Sequence, residues 1–422
     1  MEWAAQLALM AIGLMGSGQA QEAASKAASL APATIFNIDA IRSYYEAGLK
    51  KNGILGSSLA LIRDGKVVMR DDYGVQNTRP EAKVDEETAF HWASCTKSLT
   101  GIAIMQLRDK GLLSLDDSLT KYLPELTAAH DKYGPISRVT IRYVMAHAGG
   151  FRDPTWPWRD DSQPWQPFEP TEWSQIVAMM PYTDVAFSPG TKFSYSNLGV
   201  VFLGEIIERL SGDPYQVYME KNVLRPLGMN RSYFDHSPYF LLKHRSHSWD
   251  LKDSKLTEDP FDFNTGITRS NGGLNAPVGD MLKYMEFLLG VTAAEMRTPE
   301  GKEREAEYNV VLRRPSLEEM WRRFLPVAPN DDFQSRMGAK DFVATSFFVH
   351  EDKGLRLVGH AGWQNGFRSH FYIDPMTRSG YIVAYNTDAL DEKADGQNTR
   401  GYDFALRDYL IDHFFIATLA KE

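Results

Sequence analysis

The chain has 422 residues, 46 basic against 55 acidic, a formal charge of −9 and 43% apolar residues. That length allows one large domain with insertions or two domains, with ample material for a core. No block of lysine and arginine stands out, which argues against general nucleic-acid binding, and the lone cysteine, Cys95, excludes an intramolecular disulfide.

In chain order, an apolar run from Trp3 to Met15 comes first, followed by Gly18 and Ala20 at positions a signal peptidase reads. The run is shorter than the ~20 residues a membrane span needs. Residues 1–20 therefore read as a signal peptide, although Glu2 stands where a basic residue is usual. The expectation is a periplasmic or secreted protein with no stable span after cleavage, and a cytoplasmic chain is the alternative. Residues 21–35, rich in alanine and serine, read as a linker.

From Asn37, the apolar positions Ile38, Ile41, Tyr45 and Leu49 predict a helix ending near Gly53. Leu59 to Ile62 and Lys66 to Met69, joined by Asp64-Gly65, predict a hairpin. A long helix is expected from Ser94 to Gly111. The segment 151–173, with Trp156, Trp158, Trp165 and Trp173, reads as a long ordered loop that either walls an acyl pocket or packs on itself. Helices are expected at 198–210, closed by Gly212, and at 278–289, closed by Gly290. Residues 297–323 are charge-rich and read as solvated loop and helix. Strands are expected at Ala344–Val349, Leu355–Val358, Ser369–Ile373 and Tyr381–Tyr385, then a last helix from Tyr402 to Leu419. Strands at both ends and helices between predict an α+β fold. Its antiparallel sheet would come from about 36–90 and 340–422, flanked by terminal helices, with a helical subdomain at about 94–335 inserted.

Three short patterns carry chemistry: Ser94-Cys95-Thr96-Lys97, Tyr195-Ser196-Asn197 and His360-Ala361-Gly362. Serine in the first turn of a helix with lysine three residues on puts both side chains on one face. A serine hydroxyl needs a base within reach to act as a nucleophile, and lysine or tyrosine can move its proton. Each fragment alone is weak: Ser118-Leu119-Thr120-Lys121 and His147-Ala148-Gly149 repeat the same spacings. Order and setting discriminate, because Ser94 follows an apolar approach (Phe90 to Ala93) and opens a long helix, whereas Ser118 sits in an Asp-rich turn.

With these motifs, the chain resembles the β-lactamase-related serine hydrolases: class C β-lactamases, D-Ala-D-Ala carboxypeptidases and esterases sharing their fold. Further landmarks are Gly111 to Asp117, His147-Ala148-Gly149-Gly150, Phe187-Ser188-Pro189-Gly190, Pro226 to Met229 and Gly272-Gly273-Leu274. The resemblance spans about residues 36 to 415. It implies Ser94 as the acylated nucleophile, Lys97 as its partner, and Tyr195 as general base and acid. Asn197 would orient substrate, His360 would help bind it, facing Tyr195 in the place often held by lysine, and the N–H groups of Ser94 and Trp363 beside Gly362 would form the oxyanion hole. It implies no metal or cofactor, and a small-molecule ester, amide or β-lactam as substrate.

Ala361 departs from the threonine or serine whose hydroxyl helps penicillin-recognising members hold a substrate carboxylate. This favours a carboxylesterase or small-amide hydrolase over a D-Ala-D-Ala carboxypeptidase or β-lactamase; a non-catalytic penicillin-recognising or structural relative is the remaining alternative. Arg368 could supply the missing charge, but reads first as an exposed strand arginine. Cys95 reads as a small buried apolar residue, and His244-x-x-His247 as a chance pair without a metal framework.

Overall fold

The computed structural model describes residues 36–151, 170–327, 341–390 and 396–419. The expected signal peptide and linker, with Trp156, Trp158 and Trp165, lie outside the described residues. Helix α1 (Ile38–Lys51) begins where Asn37 accepts the Ala40 N–H at 3.1 Å, with Asp39 in its first turn and Lys50 and Lys51 in its last. Its buried positions Ile41, Tyr45 and Leu49 repeat every four residues and form one face.

The strands used below are β1 (Gly56–Arg63), β2 (Lys66–Thr78), β3 (Glu81–Lys83), β4 (Ala89–His91), β5 (Leu274–Pro277), β6 (Leu325–Pro326), β7 (Asp341–Val343), β8 (Phe348–Asp352), β9 (Leu355–Gln364), β10 (Phe367–Asp374) and β11 (Ser379–Tyr385). Nine form one antiparallel sheet in the order β3-β2-β1-β11-β10-β9-β8-β7-β6. The two ends of the chain meet where Ser57–Ile62 pairs with Gly380–Tyr385. The β1–β2 turn uses Asp64 at φ 52° and Gly65 at φ 73°, left-handed at both positions as a tight hairpin requires.

β1 is buried along its whole length because both sheet faces are covered. Leu59 and Leu61 join Tyr381 and Val383 under α1 and the C-terminal helix α5 (Thr399–Leu410), which brings Leu406 and Leu410. Ala60 and Ile62 face the larger core, with α2 (Thr96–Asp109), α3 (Asn197–Ser211) and α4 (Val278–Leu289). Gly212 closes α3 at φ 75° and Gly290 closes α4 at φ 71°. The charge-rich stretch forms helices Pro299–Val311 and Arg314–Met320.

Two expectations need correction. The strand expected at 344–349 is largely a turn between β7 and β8. Ser346, at φ 62°, donates its N–H to the Met145 carbonyl at 2.7 Å and lies against Gly101 of α2, so the helix packing bends the chain. The strand expected at 355–358 continues to Gln364 and carries the His-Ala-Gly motif within the sheet.

Candidate active site

Ser94 is held by what precedes it. β4 pairs with β5, and Trp92 is fully buried, its indole N–H donating to the Ala276 carbonyl at 2.8 Å and its backbone N–H to Leu274 at 2.8 Å. Ala93 then takes φ 43°, an uncommon value for a residue with a Cβ. This turns the chain through the short helical turn Ala93–Cys95 directly into α2. The helix expected from Ser94 thus starts with a tighter turn, leaving Ser94 half-buried at its mouth.

One turn on, Lys97 is 1% exposed, and its Nζ donates to Ser94 Oγ at 2.9 Å and to the Asn271 carbonyl at 2.7 Å. The ammonium lies 4.9 Å from the centroid of the Tyr195 ring, itself 4% exposed. Tyr195 directly precedes α3: Ser196 caps that helix by accepting the Gly199 N–H at 3.0 Å, and Asn197, half-buried, is its first residue.

The third wall is the end of β9. Pairing of β8 with β9 stops at Gly359, while β10 stays paired with β9 out to Gln364. Among the described residues the edge of β9 from His360 to Gln364 therefore has no strand beside it, and the Ser94 turn lies there. A Cβ at Gly362 would stand 2.2 Å from the Trp92 carbonyl and 3.1 Å from Ser94 N, so only glycine permits this approach. Trp363 follows, 57% exposed, and the Arg368 guanidinium sits over its ring at 5.3 Å.

Two imidazoles flank Lys97, both neutral near pH 7. His360 is buried, and its Nδ1 lies 2.6 Å from the Ala361 carbonyl, which can only accept; the proton is therefore on Nδ1. Burial, then the nearby Lys97 charge, bring its pKa down to about 3. The ring expected to meet substrate is thus enclosed, with Nε2 buried and lacking a hydrogen-bond partner among the described residues. His147 is held well below the ordinary histidine range by burial and then by Lys97 and His360. Cys95, beside Ser94, is fully buried; burial pushes its thiol up to about 12, which makes it an inert packing group.

The structure brings Ser94, Lys97 and Tyr195 together and sets Gly362 against Ser94. It overturns the exposed reading of Arg368: the guanidinium is buried in a two-bond ion pair with the fully buried Asp388. Trp173 begins the helix Trp173–Met179 and packs edge-on against Phe202 of α3, 6.2 Å between centroids. It belongs to the core margin. The second Ser-x-x-Lys ends on the surface, Lys121 pairing with Asp117 at 2.9 Å. His244 and His247 reach Glu87 and Glu258 respectively, and no group placed to hold a metal occurs among the described residues. Two site contributors escaped sequence reasoning. The Asn271 carbonyl has no side-chain signature, and His147, in the repeated His-Ala-Gly, lies stacked on Tyr195.

The scaffold is that of a β-lactamase-type domain, and the chain belongs to the Beta-lactamase family, which residues 41–405 match. Among curated proteins it is similar to "Protein flp" of Staphylococcus aureus (strain COL), 24% identical over 348 residues, 82% of this chain and 62% of that protein. The chain thus spans about six-tenths of the length of that relative. Among solved structures it is similar to the octameric penicillin-binding protein homologue from Pyrococcus abyssi, at TM-score 0.70 and 24% identity over 89% of this chain and 77% of that one. It is also similar to the Beta-Lactamase/D-Alanine Carboxypeptidase from Pseudomonas syringae, at TM-score 0.68 and 15% identity over 89% and 98%. These likenesses show the shared fold. No helix among the described residues is long and apolar enough to cross a membrane.

Proposed function

We propose that the protein is a serine hydrolase that forms an acyl-enzyme at Ser94 and acts on a small ester or amide without a required carboxylate. The observation that carries this is the 2.9 Å contact between Ser94 Oγ and the buried Lys97 Nζ, beside Tyr195. Ser94 Oγ attacks the carbonyl carbon while its proton passes to the Lys97–Tyr195 pair, which enters the step one proton short, as Lys97 ammonium beside Tyr195 phenolate. The oxyanion forms between the N–H groups of Ser94 and Trp363, and Asn197 orients the acyl chain. The carbonyl re-forms, the bond to the leaving group breaks, and that group departs with the proton. Water then attacks the acyl carbon, loses a proton to the same pair and releases the acid, restoring Ser94. Donors of the oxyanion kind contribute about 10²–10³ in rate each.

The neutral-substrate reading is supported by three residues that offer a substrate carboxylate neither a hydroxyl nor a free charge. Ala361 has no hydroxyl, His360 is uncharged, and Arg368 is committed to Asp388. The second reading, a D-Ala-D-Ala carboxypeptidase or class C-like β-lactamase, is favoured by the fold neighbour of that description. The apolar run from Trp3 to Met15 supports export to the periplasm or beyond.

The test is initial hydrolysis of p-nitrophenyl butyrate and nitrocefin by the protein and its Ser94→Ala variant. Ester turnover should exceed β-lactam turnover and fall by about 10³ or more in the variant. Ester turnover surviving in Ser94→Ala removes Ser94 as nucleophile. Serine-dependent nitrocefin turnover above the ester rate supports the second reading. A stable adduct at Ser94 without turnover of either would identify a non-catalytic relative.

A further inference from the structure

His147 holds the segment carrying Tyr195 from both sides. Its carbonyl accepts the Ser194 N–H at 2.8 Å and its Nδ1 accepts the Ser196 N–H at 3.1 Å, so the residues either side of the tyrosine are tied to one histidine. Its ring stacks on the Tyr195 ring, centroids 4.3 Å apart and planes at 25°. Phe193 and Phe348 enclose the imidazole, which is 3% exposed. The backbone at His147 is left-handed, φ 50°, and this turns the ring back onto the tyrosine after the helix Ile141–Met145 ends.

We infer that His147 is a positioning residue for Tyr195, fixing the phenol ring against Lys97 through two backbone hydrogen bonds and a ring stack. This rests on the reading of Tyr195 as the group that moves the proton. Only the neutral ring can do it, since a proton on Nδ1 would oppose the Ser196 N–H. The groups that face it are Lys97 from α2, His360 from β9 and Tyr195 itself. A phenol free to swing by 1 Å would lose most of its use in proton transfer, and misplacement on that scale can cost about 10² in rate.

The experiment is a double-mutant cycle between His147 and Tyr195, reading kcat and KM for p-nitrophenyl butyrate at high enzyme concentration, with folding followed by circular dichroism. His147→Asn keeps an acceptor where Nδ1 stood and tolerates positive φ, but loses the stack. His147→Ala loses both and adds backbone strain. In the wild-type background we expect kcat about 10²-fold lower for alanine and within about tenfold of wild type for asparagine, with KM within about twofold in both. In the Tyr195→Phe background the same changes should cost nothing further, because His147 acts through the tyrosine. Equal losses in both backgrounds, or a folded His147→Ala with wild-type kcat, would overturn the inference. If alanine fails to fold, the asparagine cycle decides by the same criterion. Tyr195→Phe with undiminished kcat would refute the role of Tyr195 itself, whereas an impaired Tyr195→Phe with additive His147 effects refutes only the clamp.

Discussion

Replacing Gly362 with alanine tests whether the approach of β9 to Ser94 matters for turnover. The added Cβ would stand 2.2 Å from the Trp92 carbonyl, 2.6 Å from Ser369 Oγ and 3.1 Å from Ser94 N. The serine hydroxyl could rotate away, but the carbonyl cannot: it is backbone in a buried turn and already accepts from Ser369 Oγ at 2.9 Å and from the Cys95 N–H at 3.1 Å. Reaching ordinary van der Waals separation requires β9 and the Ser94 turn to part by about 1 Å. That displacement moves the Trp363 N–H relative to the Ser94 N–H, and losing one such donor costs about 10²–10³ in kcat, or about 2.7–4 kcal/mol of transition-state stabilisation. The stability cost should be the smaller one, about 1–3 kcal/mol for overpacking. Steady-state ester hydrolysis should therefore show a large fall in kcat with little change in KM, beside a modest shift of the urea midpoint. A stable Gly362→Ala protein with wild-type kcat would refute the reasoning, because the two donors would then not be held by this contact.

Two further outcomes follow from the buried charges. Arg368→Ala should lower unfolding free energy by about 3–5 kcal/mol by stranding the Asp388 carboxylate, read from urea denaturation; native stability with a raised KM would mean that Arg368 serves substrate instead. Acid should destabilise the fold: His91, brought down to about 4 by burial and then by Arg245, and His360, at about 3, stay neutral in the native state while the unfolded chain takes up protons below pH 6.5. Their contribution is complete above pH 6.5 and falls by about 1.4 kcal/mol per pH unit per histidine as pH drops toward the folded values. Urea midpoints at pH 7, 6 and 5 should show a shallower decline in His91→Gln, and identical slopes would remove His91 from the account.

Much of the scaffold was legible because the relevant forces are local. The spacing of Ile41, Tyr45 and Leu49, the Asp64-Gly65 turn and the terminating Gly212 and Gly290 are visible within a few residues of themselves. So is the one-turn separation that lets Lys97 reach Ser94. The failures were non-local. Ala344 to Val349 has the composition of a strand, yet packing against Gly101 of α2 turns the chain at Ser346. Arg368 sits on a strand like any surface arginine, and only the closure of the fold brings Asp388 to it.

What the sequence by itself determined is the family's motif set, the α+β order of elements and the candidates Ser94, Lys97, Tyr195 and His360. What only the tertiary structure decided is which of the repeated fragments share a space. One Ser-x-x-Lys stays at the surface and the other closes under α3; one His-Ala-Gly runs along β9 and the other clamps Tyr195. The physical reason is that burial, close approach of backbone and the neutral state of two histidines beside Lys97 depend on residues hundreds of positions apart, and a local pattern carries no information about them.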